Sequence, residues 1–420
     1  MISFWRIFWL ELQSLKRSKT LAMLLAASVG WMLAFPHLVK GDGTADGARE
    51  LYVHFSLGGV FALLVIALLA SATGSLAAER TARRLQLTMV RPVRFVVLVL
   101  AKICAQTTVG AFVLGVACAL LPLRVDLSRP CSHVLTPVLP SPREEAKAMY
   151  KTFMEDPDTP EAVRRARKEV VLRLLAQRAV DHYQTIPTNA TVKWTFDGLD
   201  RAERPEGLKV RLRFTNQFEM RQDVVGAFSL DGVAAGSVSN ITQAVLEVPL
   251  KAASDKAGTH ELSFANRGKS ALMLRPRRDI NLLTPADTMG RNLLRTYLGL
   301  VAVLTLVVAF GLFLSASLGR PVAMLVAFVA LAVGEMSPSV VEQYPDELET
   351  NFADRIGLCI TRFAAEVTRP VSAASPLEAL AKDECVELAD VLHLVAVDLV
   401  AAPLVLALLA AFVLPRKEED

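Results

Sequence analysis

Histidine and cysteine are scarce in this chain, six and five respectively in 420 residues, and they are scattered rather than grouped. A zinc centre needs ligands at close spacing, and His393 has no ligand-spaced partner, so a metal site is not supported. A nucleotide-binding loop is missing as well. The one Gly-Lys-Ser, Gly268 to Ser270, has Ser263 where a phosphate loop needs its first glycine, and no strand-to-helix context follows. Excess charge is also absent: the net value is +4, and the basic residues collect at the ends of apolar runs and in 164–178 rather than along one face. That distribution gives nucleic-acid binding little support. An intramembrane aspartyl protease needs two apposed carboxylates on neighbouring spans, and only Asp398 lies deep enough in an apolar run to serve.

Apolar residues are abundant instead. They make up 53% of the chain, the mean hydropathy is +0.39, and a soluble protein usually carries less. The reading is a mainly α membrane protein with six spans and an inserted extracytoplasmic α+β domain. Residues 1–19 open it as an amphipathic interfacial helix, with Phe4, Trp5, Phe8, Trp9 and Leu12 at helical spacing and Arg6, Glu11 and Gln13 on other faces. Lys16, Arg17 and Lys19 follow, and Thr20 to Phe35 is a first span. No small-residue cleavage site closes that run, so it reads as an uncleaved span and not a signal peptide. Phe55 to Ala77 and Val96 to Leu121 are the second and third spans, Lys102 being close enough to the inner end to snorkel its ammonium to the interface.

Residues 123–290 lose the apolar character and are far too long for a loop. Within them, 143–183 is charged and helical in pattern, broken near Asp156 to Pro160, and reads as a helical pair. From 190 to 280 the period switches to two, in short runs such as LKVRLRF separated by Asp-Gly and Gly-rich turns. That is the pattern of a small β-sandwich. Leu208, Val210, Leu212 and Phe214 would face its core, with Lys209, Arg211 and Arg213 toward water.

The membrane resumes in 291–336, with Leu298 to Leu318 as the fourth span and Val322 to Val333 as a fifth that falls short of the roughly 20 residues a bilayer needs. Residues 337–390 form a polar outer loop, and Val391 to Leu414 is the sixth span, closed by Arg416 and Lys417. Cys104 and Cys118 sit inside an apolar run, where they pack as small apolar residues. Cys359 and Cys385 both fall outside it, so a disulfide between them is open, with Cys131 as competitor.

The stretch that organises the rest is 78–94. Arg80, Arg83, Arg84, Arg91 and Arg94 crowd between two spans, and arginine this dense marks the cytoplasmic side, placing both termini inside. Leu85, Leu87 and Met89 interleave with the charges, so a short helix here would show the membrane surface or a partner groove an apolar stripe. Glu79, Leu85, Pro92, Val93 and Lys102 stand at spacings that resemble the loop between the second and third spans of ABC type-2 exporter permeases. Arg83 and Arg84 depart from it, standing where that family prefers Gly-Thr. Phe310 to Gly334, with its Ser-Ala turn and Pro-Val-Ala start, resembles the same family further along the chain.

The resemblance implies a permease subunit of the bacterial plasma (inner) membrane, not an enzyme. Glu79, Arg80, Arg83, Arg84, Leu85, Leu87, Met89 and Pro92 would then form a coupling helix seated in a separate ABC ATPase subunit, which would hold the ATP and Mg. This chain would hold no cofactor. Six spans are half of such a pore, so a homodimer or a sister permease is implied. Asp398 is expected either to line a transport path or to be satisfied against a neighbouring helix. A second reading is a polytopic anchor that displays the 123–290 domain as a receptor or assembly module. A third is a membrane enzyme that uses Asp398.

Overall fold

The computed structural model describes residues 2–17, 19–38, 45–81, 94–155, 168–180, 184–199, 208–215, 222–242, 245–250, 258–330 and 376–416. These fall into two units, one made of the chain up to Arg129 with the described residues from Thr288 onward, the other of Pro130–Asp287.

In the first unit, α1 (Ile2–Arg17) and α2 (Thr20–Leu38) are separated by a bend at Lys19, whose backbone is left-handed (φ 60). Helix α3 (Ala45–Tyr52) runs through a single π turn, Val53–Leu57, into α4 (Gly58–Thr81). Helix α5 (Phe95–Leu120) follows, and Arg94 begins it in extended conformation (ψ 133).

The second unit opens with strand β1 (Pro130–Leu135) and helix α6 (Pro142–Glu155). The start of α6 is set locally: Ser141 Oγ accepts from the Glu144 N–H at 3.2 Å, and a Glu144 carboxylate oxygen accepts from the Ser141 N–H at 2.9 Å. This reciprocal pair satisfies two donors that a helix start leaves open. Helix α7 (Lys168–Val180) packs on α6 through Ala146, Val171, Leu175 and Ala176. A helical pair is therefore present, as its pattern predicts.

The further strands are β2 (Gln184–Ile186), β3 (Thr191–Leu199), β4 (Lys209–Arg213), β5 (Asp223–Leu230), β6 (Val233–Ile241), β7 (Val245–Pro249), β8 (Gly258–Asn266), β9 (Leu272–Leu274) and β10 (Ile280–Thr288). Two four-stranded sheets, ordered β1-β10-β4-β7 and β3-β8-β5-β6, enclose one core, and β2 pairs with β9 beside them. Phe264 sits at its middle, its ring 4.9 Å from those of both Phe214 and Phe228. Strand β4 alternates as its sequence requires, Val210 and Leu212 buried against the core, Lys209 and Arg213 outward. The β5–β6 hairpin turns on Asp231 and Gly232, both at positive φ (51 and 83), the conformation a two-residue hairpin turn demands. The sandwich is larger than its alternating runs indicate. Strand β1 lies before the 190–280 stretch and β10 runs on beyond it, yet the two pair within the first sheet.

The chain returns to the first unit with α8 (Met289–Ser317), α9 (Arg320–Ala330), the short α10 (Pro376–Ala381) and α11 (Leu388–Leu394), which passes through a second π turn, Val395–Ala401, into α12 (Ala402–Arg416). Among the described residues, five helices are long and apolar enough to cross a membrane: Leu21–Leu38, Gly47–Glu79, Phe95–Leu123, Met289–Ser317 and Leu388–Val413. The expected count was six. Helix α9 is apolar but shorter, and the end of its expected span, Leu331 to Val333, lies outside the described residues. Helix α8 is the axis of the unit, with 78% of its most apolar stretch buried against 17% for the first span and 22% for the last. It packs on α4, α5 and α12. A Cβ on Gly311 would lie 2.8 Å from Ala72 Cβ, so α8 and α4 touch backbone to side chain there. These are the features of a membrane-embedded helical unit carrying a β domain.

Candidate functional site

Position 102 places a lysine on an otherwise uncharged helix. Its side chain is only 2% exposed, and an ammonium so placed must find acceptors inside the protein. It finds three. Lys102 Nζ donates to Glu11 Oε2 of α1 at 2.9 Å, to Ser75 Oγ at 3.0 Å and to Glu79 Oε1 at 2.8 Å, the last two from α4. These acceptors use all three protons that an ammonium carries.

The local sequence makes this meeting feasible. Ala101 and Ala105 are small and buried, and Phe8 packs on them with Phe4, Ile7 and Leu12 beside it. With Phe8 seated, Glu11 stands about one turn further along the same face of α1, next to Lys102. Ser75 and Glu79 are four apart on α4 and share a face in the same way. Lys102 therefore does not snorkel outward as its place near the helix start suggests, because α1 brings it a carboxylate inside the bundle. Two carboxylates converge on one ammonium, leaving a net negative charge. One turn on from Lys102, Gln106 is 1% exposed, and neither its amide oxygen nor its nitrogen has a hydrogen-bond partner among the described residues.

Of the residues expected to couple to a partner, Glu79 belongs to this cluster, and Arg80 lies in the last turn of α4. Arg83, Arg84, Leu85, Leu87, Met89 and Pro92 lie outside the described residues. Glu79 and Lys102 stand on either side of that segment, and their ion pair joins α4 to α5 across it.

Asp398 is buried (3% exposed) within the π turn Val395–Ala401, which packs against α8. Such insertions are rare and recur at functional positions. It belongs to a different set of helices from the Lys102 cluster. Cys385 and Cys131 are each disulfide-bonded, Cys359 lies outside the described residues, and Cys104 and Cys118 are free thiols on α5. The cationic face of β4 is partly neutralised: Glu247 on β7 takes Arg211 at 3.0 Å and Lys209 at 3.5 Å.

No family model, curated protein or solved structure matches this chain. Its geometry must carry the functional reading.

A second cluster, which sequence patterns do not signal, lies at the start of α8. Asn292 donates its side-chain amide to Glu384 O at 2.7 Å and accepts from the Val386 N–H at 2.8 Å, pairing with the chain as a strand neighbour would. Arg295 donates to Val386 O at 3.2 Å, Thr296 to Pro376 O at 3.3 Å, and Arg49 pairs with Asp383. Together they pin 376–386 over one end of the helical unit. A small cavity of about 160 Å³ lies beside it, lined by Glu50, His54, Phe55, Glu378 and Lys382 among others. No group of three or more His, Cys, Asp and Glu side chains among the described residues is arranged to hold a metal ion.

Proposed function

We propose that this chain is the permease subunit of an ABC exporter, forming the translocation pathway and taking work from a separate ATPase subunit through residues 78–94. The observation that carries the reading is the ion pair of Glu79 with Lys102, extended to Glu11. A segment transmits force only if its ends are fixed to what it must move. Here the helix that leads into the segment and the helix that leads out are joined by one ammonium, and α1 is joined to the same atom. A push on 80–94 would move α4, α5 and α1 together.

The identity of the partner comes from the sequence resemblance, as do the ATP and Mg it would hold and the pairing with a second copy or a sister permease. The arginines of 80–94 support an orientation with both termini in the cytoplasm, and the bacterial plasma membrane comes from the resemblance. Asp398, held in its π turn against α8, is the residue we assign to the pathway.

The test is a pull-down of the tagged chain from membranes. An ATPase in the wild-type eluate that is lost when Arg83 and Arg84 are both changed to glutamate supports the permease. No ATPase in the wild-type eluate overturns it. That result would favour the second reading, an anchor that displays the β unit as a receptor or assembly module, to which the self-contained core of that unit also lends weight.

A further inference from the structure

Helix α1 divides its charges between two faces. Its single acid, Glu11, points inward and is consumed by Lys102, on the same side as the buried Phe8 and the half-buried Phe4, Ile7 and Leu12. Every cation is left on the other side. Arg6, Lys16 and Arg17 are exposed, Lys19 is exposed at the bend that follows, and none of the four has an acidic partner among the described residues. Trp5, Trp9 and Leu10 share that side and are 63%, 52% and 66% exposed, with the two indoles stacked 6.5 Å apart. Helical spacing puts Trp5, Trp9 and Lys16 on one flank, and Arg6, Leu10, Gln13 and Arg17 on the other. Cations and large apolar groups therefore alternate over one surface from which negative charge has been removed.

We propose that this outward face of α1 is a binding site for acidic phospholipid headgroups. Three chemical features match. Indole rings with a polar N–H settle at the boundary between headgroup and acyl chain. Lysine and arginine lay their stems on apolar surface while their charged ends reach phosphate. Unpaired cations adjoining an apolar helix face bind anionic lipid in preference to zwitterionic lipid. Glu11 would cancel part of that attraction if it faced the lipid, and the Lys102 bond keeps it away. This site does not depend on the permease reading, because it requires only that the helical unit lie in a bilayer.

The test reconstitutes the full chain in vesicles of phosphatidylcholine with phosphatidylglycerol, one lipid or the other carrying brominated acyl chains, and reads tryptophan fluorescence. Subtracting the signal of a Trp5→Phe, Trp9→Phe double variant isolates the two indoles of α1 from Trp31 and Trp194. At equal mole fraction, brominated phosphatidylglycerol should quench this signal at least about twofold more than brominated phosphatidylcholine. The preference should vanish in about 0.5 M salt and in the Arg6→Gln, Lys16→Gln, Arg17→Gln, Lys19→Gln variant, whose changes are all at exposed positions. Equal quenching by the two lipids overturns the proposal, as does a preference that survives in the glutamine variant. Absence of quenching by either would mean that the indoles do not meet lipid, and overturns it too.

Discussion

Glu11 and Lys102 are ninety-one positions apart in the chain, and a carboxylate oxygen of one lies 2.9 Å from the ammonium of the other. That bond fixes an N-terminal helix to the inner bundle at a depth where few alternative partners exist. Its removal should be felt well beyond the two residues.

Lys102→Met would strand the Glu11 and Glu79 carboxylates against each other. Breaking a buried pair by deleting one partner costs about 3 kcal/mol. Thermal unfolding of the purified full chain should show a clear fall in Tm. Adding Glu11→Gln to Lys102→Met should recover part of it, because one stranded charge is then gone. A single variant as stable as the wild type would mean that the ammonium does not hold these helices.

Asn292→Ala would leave the Glu384 carbonyl and the Val386 N–H without their partner, at about 2 kcal/mol in total. The loss should be local. Hydrogen exchange in 376–386 is expected to speed up while that of α4 and α5 stays unchanged. Asn292→Asp should be intermediate, since a carboxylate still accepts from Val386 but repels the Glu384 carbonyl.

Gly311→Val and Gly319→Val form a matched pair. At Gly311 the added atoms meet Ala72 Cβ, which cannot rotate away, whereas nothing lies within 4 Å of a Cβ at Gly319. Overpacking of this kind costs about 1–3 kcal/mol. The first variant should lower Tm and the second leave it near the wild-type value.

Glu144 provides a pH-dependent case. The Ser141 N–H, and then the Ser141 hydroxyl, bond its carboxylate and hold its pKa below the ordinary value. A depressed carboxyl stabilises the fold above the ordinary glutamate pKa and loses that contribution as pH falls through the lowered value. The protection of amides at the start of α6, taken relative to their intrinsic exchange rate at each pH, should therefore fall on acidification. In Glu144→Gln, which keeps an acceptor oxygen but does not ionise, that protection should lose its acid dependence.

The elements that the sequence displays are those whose signal is local. Runs of leucine, alanine and valine mark the long helices, and alternation marks β4 and β8, since periodicity records which side of an element meets a core. Strand β6, VAAGSVSNI, escapes this reading because its small residues alternate weakly. Strands β1 and β10 escape because each is completed by a partner distant in the chain. Gly226 is a similar case: its lack of a side chain is explained only by the Phe264 ring that lies against it.

The same division holds for the candidate site. Glu79 and Lys102 stand out in the chain, a carboxylate and an ammonium at the borders of two apolar runs. Glu11 does not, since helical spacing places it among Phe4, Ile7 and Phe8 on the apolar face of α1, and nothing local shows which cation it meets. Composition and pattern alone determined that this is a membrane protein with an inserted α+β domain, because burial of apolar surface depends on how much there is and how it is spaced. Tertiary structure alone decided that Lys102 is bound inward by Glu11, Ser75 and Glu79, and that Asn292 holds the chain at 384–386. A hydrogen bond depends on where two groups finally stand, and no local pattern encodes the distance between residues brought together from separate helices.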